Sequence, residues 1–199
     1  MGKLIRLHDD GSTPDDNPFV NYRKNDAFVD NEAVYDQIWS LGHRNPLGIA
    51  LDMDGRLWQI EMGPAGGDEL NLIQRGANYG YPVVSNGRHY DGRGIPDHDT
   101  RPEFKAPTVT WTPVISPADL MVYTGELFGA WRGDAFAAGL SSQSIVRIEI
   151  DGEKASEVER YDMGARIRNV TEGPAGAIWV LEDERGGSQG RLLKLTPDQ

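Results

Sequence analysis

The sequence predicts an all-β chain built of β-propeller blades, about three of a six-bladed ring, so that the ring is incomplete. Three observations carry that expectation. Short runs of alternating apolar and polar residues recur between turn signals. One strand–turn–strand unit occurs twice. The 24 Gly and 12 Pro supply frequent turns, while sustained helical periodicity is absent. The best helical candidate, NEAVYDQIWS at 31–40, reads better as loop and strand.

Taken in order, the strand-like runs fall at 3–7, 48–51, 57–61, 69–73, 120–123, 135–140, 144–150, 177–181 and 191–195. IALDMDGRLWQIE (49–61) matches VTEGPAGAIWVLE (170–182): a strand, a Gly-bearing turn, then an aromatic-bearing strand ending in Glu. A third strand follows each, ELNLI in one and GRLLKL in the other, and GDAFAAGLSSQSIVRIEIDG (133–152) adds two strands around a turn. Repeated units of this kind suggest propeller blades, although an ordinary antiparallel sandwich shares the pattern. The units lie near 42–75, 117–163 and 167–196, with an orphan strand at the start, in one domain spanning 1–199. A propeller closes with about four to eight blades, and open edges invite pairing. A second copy closing the ring as a homodimer is one expectation. Residues 76–116 form a long, turn-rich insertion between blades, a length that more often serves function than scaffold.

Composition narrows the function. Twenty basic against 31 acidic residues leave a net charge of −11, which argues against nucleic acid as a partner. There is no Cys, so thiol catalysis and thiolate metal sites are excluded. No apolar run is long enough to span a membrane, and MGKLIRLHDDGS shows no signal peptide.

Three stretches hold candidate chemistry. GHRNP places Arg44, a planar fork of donors, beside the amide of Asn45 on a turn stiffened by Pro46; this suits an anionic, oxygen-rich ligand, and a loop salt bridge explains it equally well. GPAGGDE lets main-chain carbonyls converge just before Asp68 and Glu69, an oxygen-rich setting for a hard cation, though acidic turns are common. ARIRNV puts Arg166 and Arg168 on one face of a strand-like run, which calls for an anion between them or for surface exposure. His8, His43, His89 and His98 show no zinc-site spacing, and His43 reads as structural. Trp111, Trp131, Tyr81 and Tyr90 lie on or near the insertion and suit stacking on a sugar or a flat cofactor, or ordinary packing.

In combination, GKLIRL…DDNPF, GHRNPLGIA, GPAGGDELNLI…GANYGYP, WTP…SP and ARIRNV…GAIWVLED resemble the soluble quinoprotein sugar dehydrogenases of the glucose/sorbosone dehydrogenase family. The order and spacing resemble the C-terminal half of such an enzyme over nearly the whole chain. The resemblance implies a six-bladed propeller that uses pyrroloquinoline quinone (PQQ) and calcium to oxidise aldose sugars to lactones, passes electrons to an external acceptor and works in the periplasm. It implies that Arg44 and Asn45 form the cofactor-side pair, that Tyr90 contacts the quinone, and that Arg166 and Arg168 hold its carboxylates. It further implies that the carbonyls of Gly63 and Pro64 bind the catalytic calcium, and that Glu69 with the carbonyl of Tyr79 binds a second one.

There are departures. Ser141 stands where some members carry a Lys against the cofactor, Asn169 replaces the Asp of an RDV motif, and Asp119 stands where Gly is usual. None of the four histidines matches the family's general base, which lies upstream. The expectation is therefore a truncated enzyme, inactive alone, with a calcium-stabilised, non-catalytic half-propeller as the alternative.

Overall fold

In the computed structural model, residues 2–20, 35–185 and 188–197 are described. Thirteen strands are found among them: β1 (Gly2–Ile5), β2 (Ile38–His43), β3 (Pro46–Leu51), β4 (Leu57–Glu61), β5 (Asp68–Ile73), β6 (Val109–Trp111), β7 (Pro117–Val122), β8 (Ala135–Gly139), β9 (Ser144–Asp151), β10 (Lys154–Asp162), β11 (Ile167–Glu172), β12 (Ile178–Glu182) and β13 (Leu192–Leu195). They form four antiparallel sheets in the orders β1-β2, β3-β4-β5-β6, β7-β8-β9-β10 and β11-β12-β13. These are propeller blades: each chain segment meanders outward through one sheet before starting the next.

Two elements of the sequence reading change here. The orphan first strand has a partner, β2, which begins at the end of the 31–40 stretch; residues 31–34 lie outside the described residues. The 76–116 segment contains β6, which pairs with β5. The long connection therefore lies within one blade rather than between two.

Alternation along the strands sets how the blades stack. On β4, Trp58 and Ile60 face one side and Gln59 and Glu61 the other; on β5, Leu70 and Leu72 oppose Glu69 and Asn71. Trp58, Ile60, Leu70 and Leu72 pack with Leu120, Ala137 and Val146 of the next blade. The third interface is apolar too, with Phe136 and Ile145 against Ile167, Val170 and Val180. The opposite faces of β4 and β5 carry a buried polar layer, which includes Ser40 and His43 of β2. Inner strands β3 and β7 approach so closely that a Cβ on Gly48 would lie 2.6 Å from the Leu120 nitrogen, leaving room only for glycine.

The DMDGRLW turn explains how the first complete blade is tied. Asp52 Oδ1 accepts from the Asp54 and Arg56 backbone nitrogens, and its Oδ2 accepts from Arg56 Nε and from Trp58 Nε1 at 2.9 Å. Burial alone would raise the Asp52 pKa, but the donors from Trp58, Arg56 and Asp54 hold it below the ordinary 3.8. A depressed carboxylate contributes stability above its unfolded pKa and loses it as pH falls through the folded one. Asp52→Ala is expected to cost about 1–3 kcal/mol in denaturant unfolding at neutral pH. That difference from wild type should shrink below pH 3.8.

Candidate functional site

The start of β3, where GHRNP sits, is built on a buried acid that the sequence reading did not single out. Glu61 Oε2 accepts from the backbone nitrogens of Arg44 (2.8 Å) and Asn45 (3.1 Å), which fixes the turn. Its Oε1 meets His43 Nδ1 at 3.4 Å and Asn71 Nδ2 at 3.2 Å. His43 is fully buried, bonded through Nε2 to Ser40 Oγ at 2.8 Å and stacked on Tyr79 at 4.6 Å. Its role is structural. A signal for Glu61 was present, since both copies of the repeat end in Glu; the second, Glu182, holds Arg191 and Ser188 instead.

With its backbone anchored, Arg44 presents its guanidinium between two phenol rings, 5.8 Å from the centre of Tyr81 and 5.7 Å from that of Tyr90. It donates to the Met62 carbonyl and to Tyr90 Oη; among the described residues its Nε is buried without a partner and it makes no ion pair. Tyr90 is 78 % exposed. The insertion carries it there because Arg88 bridges to Ala65 of the GPAGG loop. Asn45 is exposed beside Arg44.

The GPAGG loop is a tight knot of main chain. A Cβ on Gly63 would lie 2.2 Å from the Gly67 oxygen and 2.3 Å from the Gly66 oxygen. Asp68 pins it: Oδ1 accepts from the Gly63 nitrogen at 2.9 Å and Oδ2 from the Ser116 nitrogen at 2.7 Å. Burial raises the Asp68 pKa despite those donors. Ser141 bonds Ser116 Oγ at 2.8 Å, on the same rim.

Below Arg44, a small cavity of about 10 Å³ is lined by Glu61, Gly63, Glu69 and Tyr79 among others, close to the space one water-sized sphere occupies. Burial, and next the charge of Glu61, push the Glu69 carboxyl well above the usual range. Both acids share one amide donor, Asn71 Nδ2, at 3.2 Å each, and Asn71 Oδ1 is buried without a partner among the described residues. The Tyr79 carbonyl accepts from His98 Nε2 at 3.0 Å, which leaves it a second lone pair. Two buried carboxyls lining one small cavity, those of Glu61 and Glu69, form a donor set that fits a hard cation. No three His, Asp or Glu side chains converge as ligands among the described residues, so main-chain carbonyls would complete the shell.

Arg166 and Arg168 meet at a single acceptor. Asp183 Oδ2 lies 3.3 Å from Arg166 Nε and 2.7 Å from Arg168 Nη2. The anion that the ARIR pattern called for is thus supplied by the chain itself, from the residue after β12. Arg166 and Arg168 stand at the start of β11, as Arg44 stands just before the start of β3. Gly48 packs on Asp119 and Leu120, and Asp119 bonds Asn169, so the third residues of β3, β7 and β11 share one level. The Asp119 and Asn169 departures are therefore partners in space.

The sequence model of the glucose/sorbosone dehydrogenase family matches residues 1–194. The chain belongs to that family. Among glucose/sorbosone dehydrogenase relatives, the aldose sugar dehydrogenase YliI of Escherichia coli is 37 % identical over 204 residues, covering 99 % of this chain and 51 % of that protein. The apo-form crystal structure of the soluble E. coli aldose sugar dehydrogenase superposes with a TM-score of 0.83 at 35 % identity, covering 100 % of this chain and 55 % of the other. The PQQ-bound aldose sugar dehydrogenase of Streptomyces coelicolor gives a TM-score of 0.69 at 28 % identity, over 98 % and 52 %. The chain thus spans about half the length of the glucose/sorbosone dehydrogenases it matches. Among the described residues no helix is long and apolar enough to cross a membrane.

Proposed function

We propose that this chain supplies the cofactor side of a PQQ- and calcium-dependent dehydrogenase that oxidises aldose sugars to lactones and passes the electrons to an external acceptor, in the periplasm. The observation that carries the reading is Arg44, a guanidinium held between two tyrosines with, among the described residues, a buried, unpartnered Nε and no carboxylate of its own. Such a group fits the oxygens of a flat, anionic ring. Arg44, Asn45 and Tyr90 would hold the quinone edge, and Arg166 and Arg168 its carboxylates, with Asp183 keeping the two arginines together when the site is free. The carbonyls of Gly63 and Pro64 would ligate the calcium beside the quinone. Glu69 and the carbonyl of Tyr79 would take a second calcium, whose charge offsets the buried carboxylate pair.

Bound there, the quinone would supply the hydride acceptor and the calcium the polarising charge. The chain's own residues do the holding. Glu61 fixes the backbone of Arg44 and Asn45, and Asp68 fixes Gly63, so neither has to be ordered when the cofactor arrives. His43 and His98 are both buried and hydrogen-bonded within the chain.

The test is a titration of the purified chain with PQQ, with and without calcium, followed by quinone absorbance and thermal shift. Calcium-dependent binding is the expected result. Calcium stabilisation without quinone binding would instead favour a non-catalytic module, and the absence of both would sink the proposal.

A further inference from the structure

The first strand of each of the last three blades carries the same irregularity. On β3, pairing with β4 slips between Pro46 and Gly48; on β7, pairing with β8 slips between Pro117 and Asp119; on β11, pairing with β12 slips between Ile167 and Asn169. In each case the second residue of the strand is extra: Leu47, Ala118 and Arg168. An extra residue of this kind bends the strand and re-aims a side chain. Arg168 is the only one of the three with a charged side chain, and it is aimed at Asp183.

Each bulge is followed by a level residue: Gly48, Asp119 and Asn169. Between β3 and β7 this level is closed by backbone contact on Gly48. Between β7 and β11 it is closed by a hydrogen-bonded latch. Asp119 Oδ2 accepts from Asn169 Nδ2 at 2.5 Å and from the Val170 nitrogen at 3.2 Å. Asp119 is part-buried and, among the described residues, has no basic side chain bonded to it; apart from the Leu120 backbone nitrogen of its own strand, its donors lie on β11. The latch grips the two residues that follow the bulged Arg168 and no other described residue of β11.

We propose that Asp119 is a positioning residue that acts on Arg168: by clamping Asn169 and Val170 to the neighbouring inner strand, it holds the β11 bulge in the shape that places the Arg168 guanidinium beside Arg166 at Asp183. The latch itself stands on geometry alone, and its consequence for ligand binding rests on the proposed quinone site.

The test exchanges donor and acceptor. In Asn169→Asp, two carboxylates face each other and the latch opens. In the double variant Asp119→Asn with Asn169→Asp, an amide again meets a carboxylate, and the carbonyl oxygen of the introduced amide can still accept from the Val170 nitrogen. Two readouts are taken on the whole chain alongside its melt: solvent exchange of the Arg166 Nε and Arg168 Nη protons, the ones that face Asp183, by nitrogen-15 NMR, and affinity for PQQ. Asn169→Asp is expected to speed Arg168 exchange and weaken quinone binding, each by about ten-fold, the ratio set by one charge-assisted hydrogen bond. The double variant should return both to within about two-fold of wild type.

Unchanged Arg168 exchange in Asn169→Asp would overturn the proposal, as would a double variant that melts like wild type without restoring exchange. If the double variant does not fold, Asp119→Ala and Asp119→Asn replace it. The first should behave like Asn169→Asp, while the second keeps an acceptor oxygen and should stay near wild type; equal behaviour of the two would overturn the proposal. Restored exchange in a chain whose wild type binds no quinone would leave the latch standing and remove the quinone function.

Discussion

Glu69→Gln is expected to raise the melting temperature of the metal-free chain at neutral pH and to abolish its stabilisation by calcium. The carboxyl of Glu69 lies buried beside Glu61, and burial, with that neighbouring charge second, raises its pKa well above 4.5. The folded chain therefore retains a proton that the unfolded chain releases. For an acid shifted upward, the contribution to stability is complete below the unfolded value and is lost as pH climbs from about 4.5 towards the folded value. Without metal, the wild type should lose stability across that window and Glu69→Gln should not. This slope is opposite in sign to that expected from Asp52.

Calcium acts on the same charge. A cation at 100 times its Kd stabilises the folded state by about 2.7 kcal/mol, which in a domain of this size raises Tm by roughly 5–10 °C. The check is a set of melts against pH for wild type and Glu69→Gln, in chelator and in calcium. A wild type that calcium does not stabilise, or a Glu69→Gln chain that calcium stabilises as strongly as wild type, would rule out Glu69 as a ligand.

The second large effect is expected from the arginine pair. Arg166→Ala and Arg168→Ala should each weaken PQQ binding by roughly 10- to 150-fold, the range given by losing a charged hydrogen bond of about 1.5–3 kcal/mol. Arg168 is about half exposed and Arg166 a quarter, so Arg168→Ala belongs at the lower end and should lose more of its effect in high salt. Arg168→Lys should not restore affinity, because a point charge cannot replace a planar fork that shares Asp183 with its neighbour. Titration at two salt concentrations measures all of this. Equal affinities for wild type and both Ala variants would place the quinone carboxylates elsewhere.

Much of the scaffold was legible because strand periodicity is local. The run LWQIE, the repeat ending in Glu and the turn DMDGR each carry their conformation in neighbouring residues, and β4, β5, β8, β9 and β12 lie where the pattern puts them. β2 and β6 were harder. β6 is three residues long, and β2 joins a strand 33 residues before it only through tertiary pairing. β10, with KASEVERYD, is an outer edge whose alternation is mostly polar on both faces, so apolar periodicity had little to register.

At the candidate site, Arg44, Asn45, Gly63, Glu69, Arg166 and Arg168 stood out as residue types on turns and strand starts. Their partners did not. Asp183 reads as an ordinary acid until the fold brings it to two guanidiniums, and Asp68, legible as an acid on an oxygen-rich turn, is found only in the fold to bridge Gly63 and Ser116. By itself the sequence determined the strand periods, the tight turns and the family, since each depends on residues close in the chain or on their order. Only the tertiary structure decided that Glu61 and Glu69 share a buried cavity, and that Asp119 reaches 50 residues along the chain to Asn169. Burial and proximity across blades set the charge and aim of these groups, and neither is a property of any segment read alone.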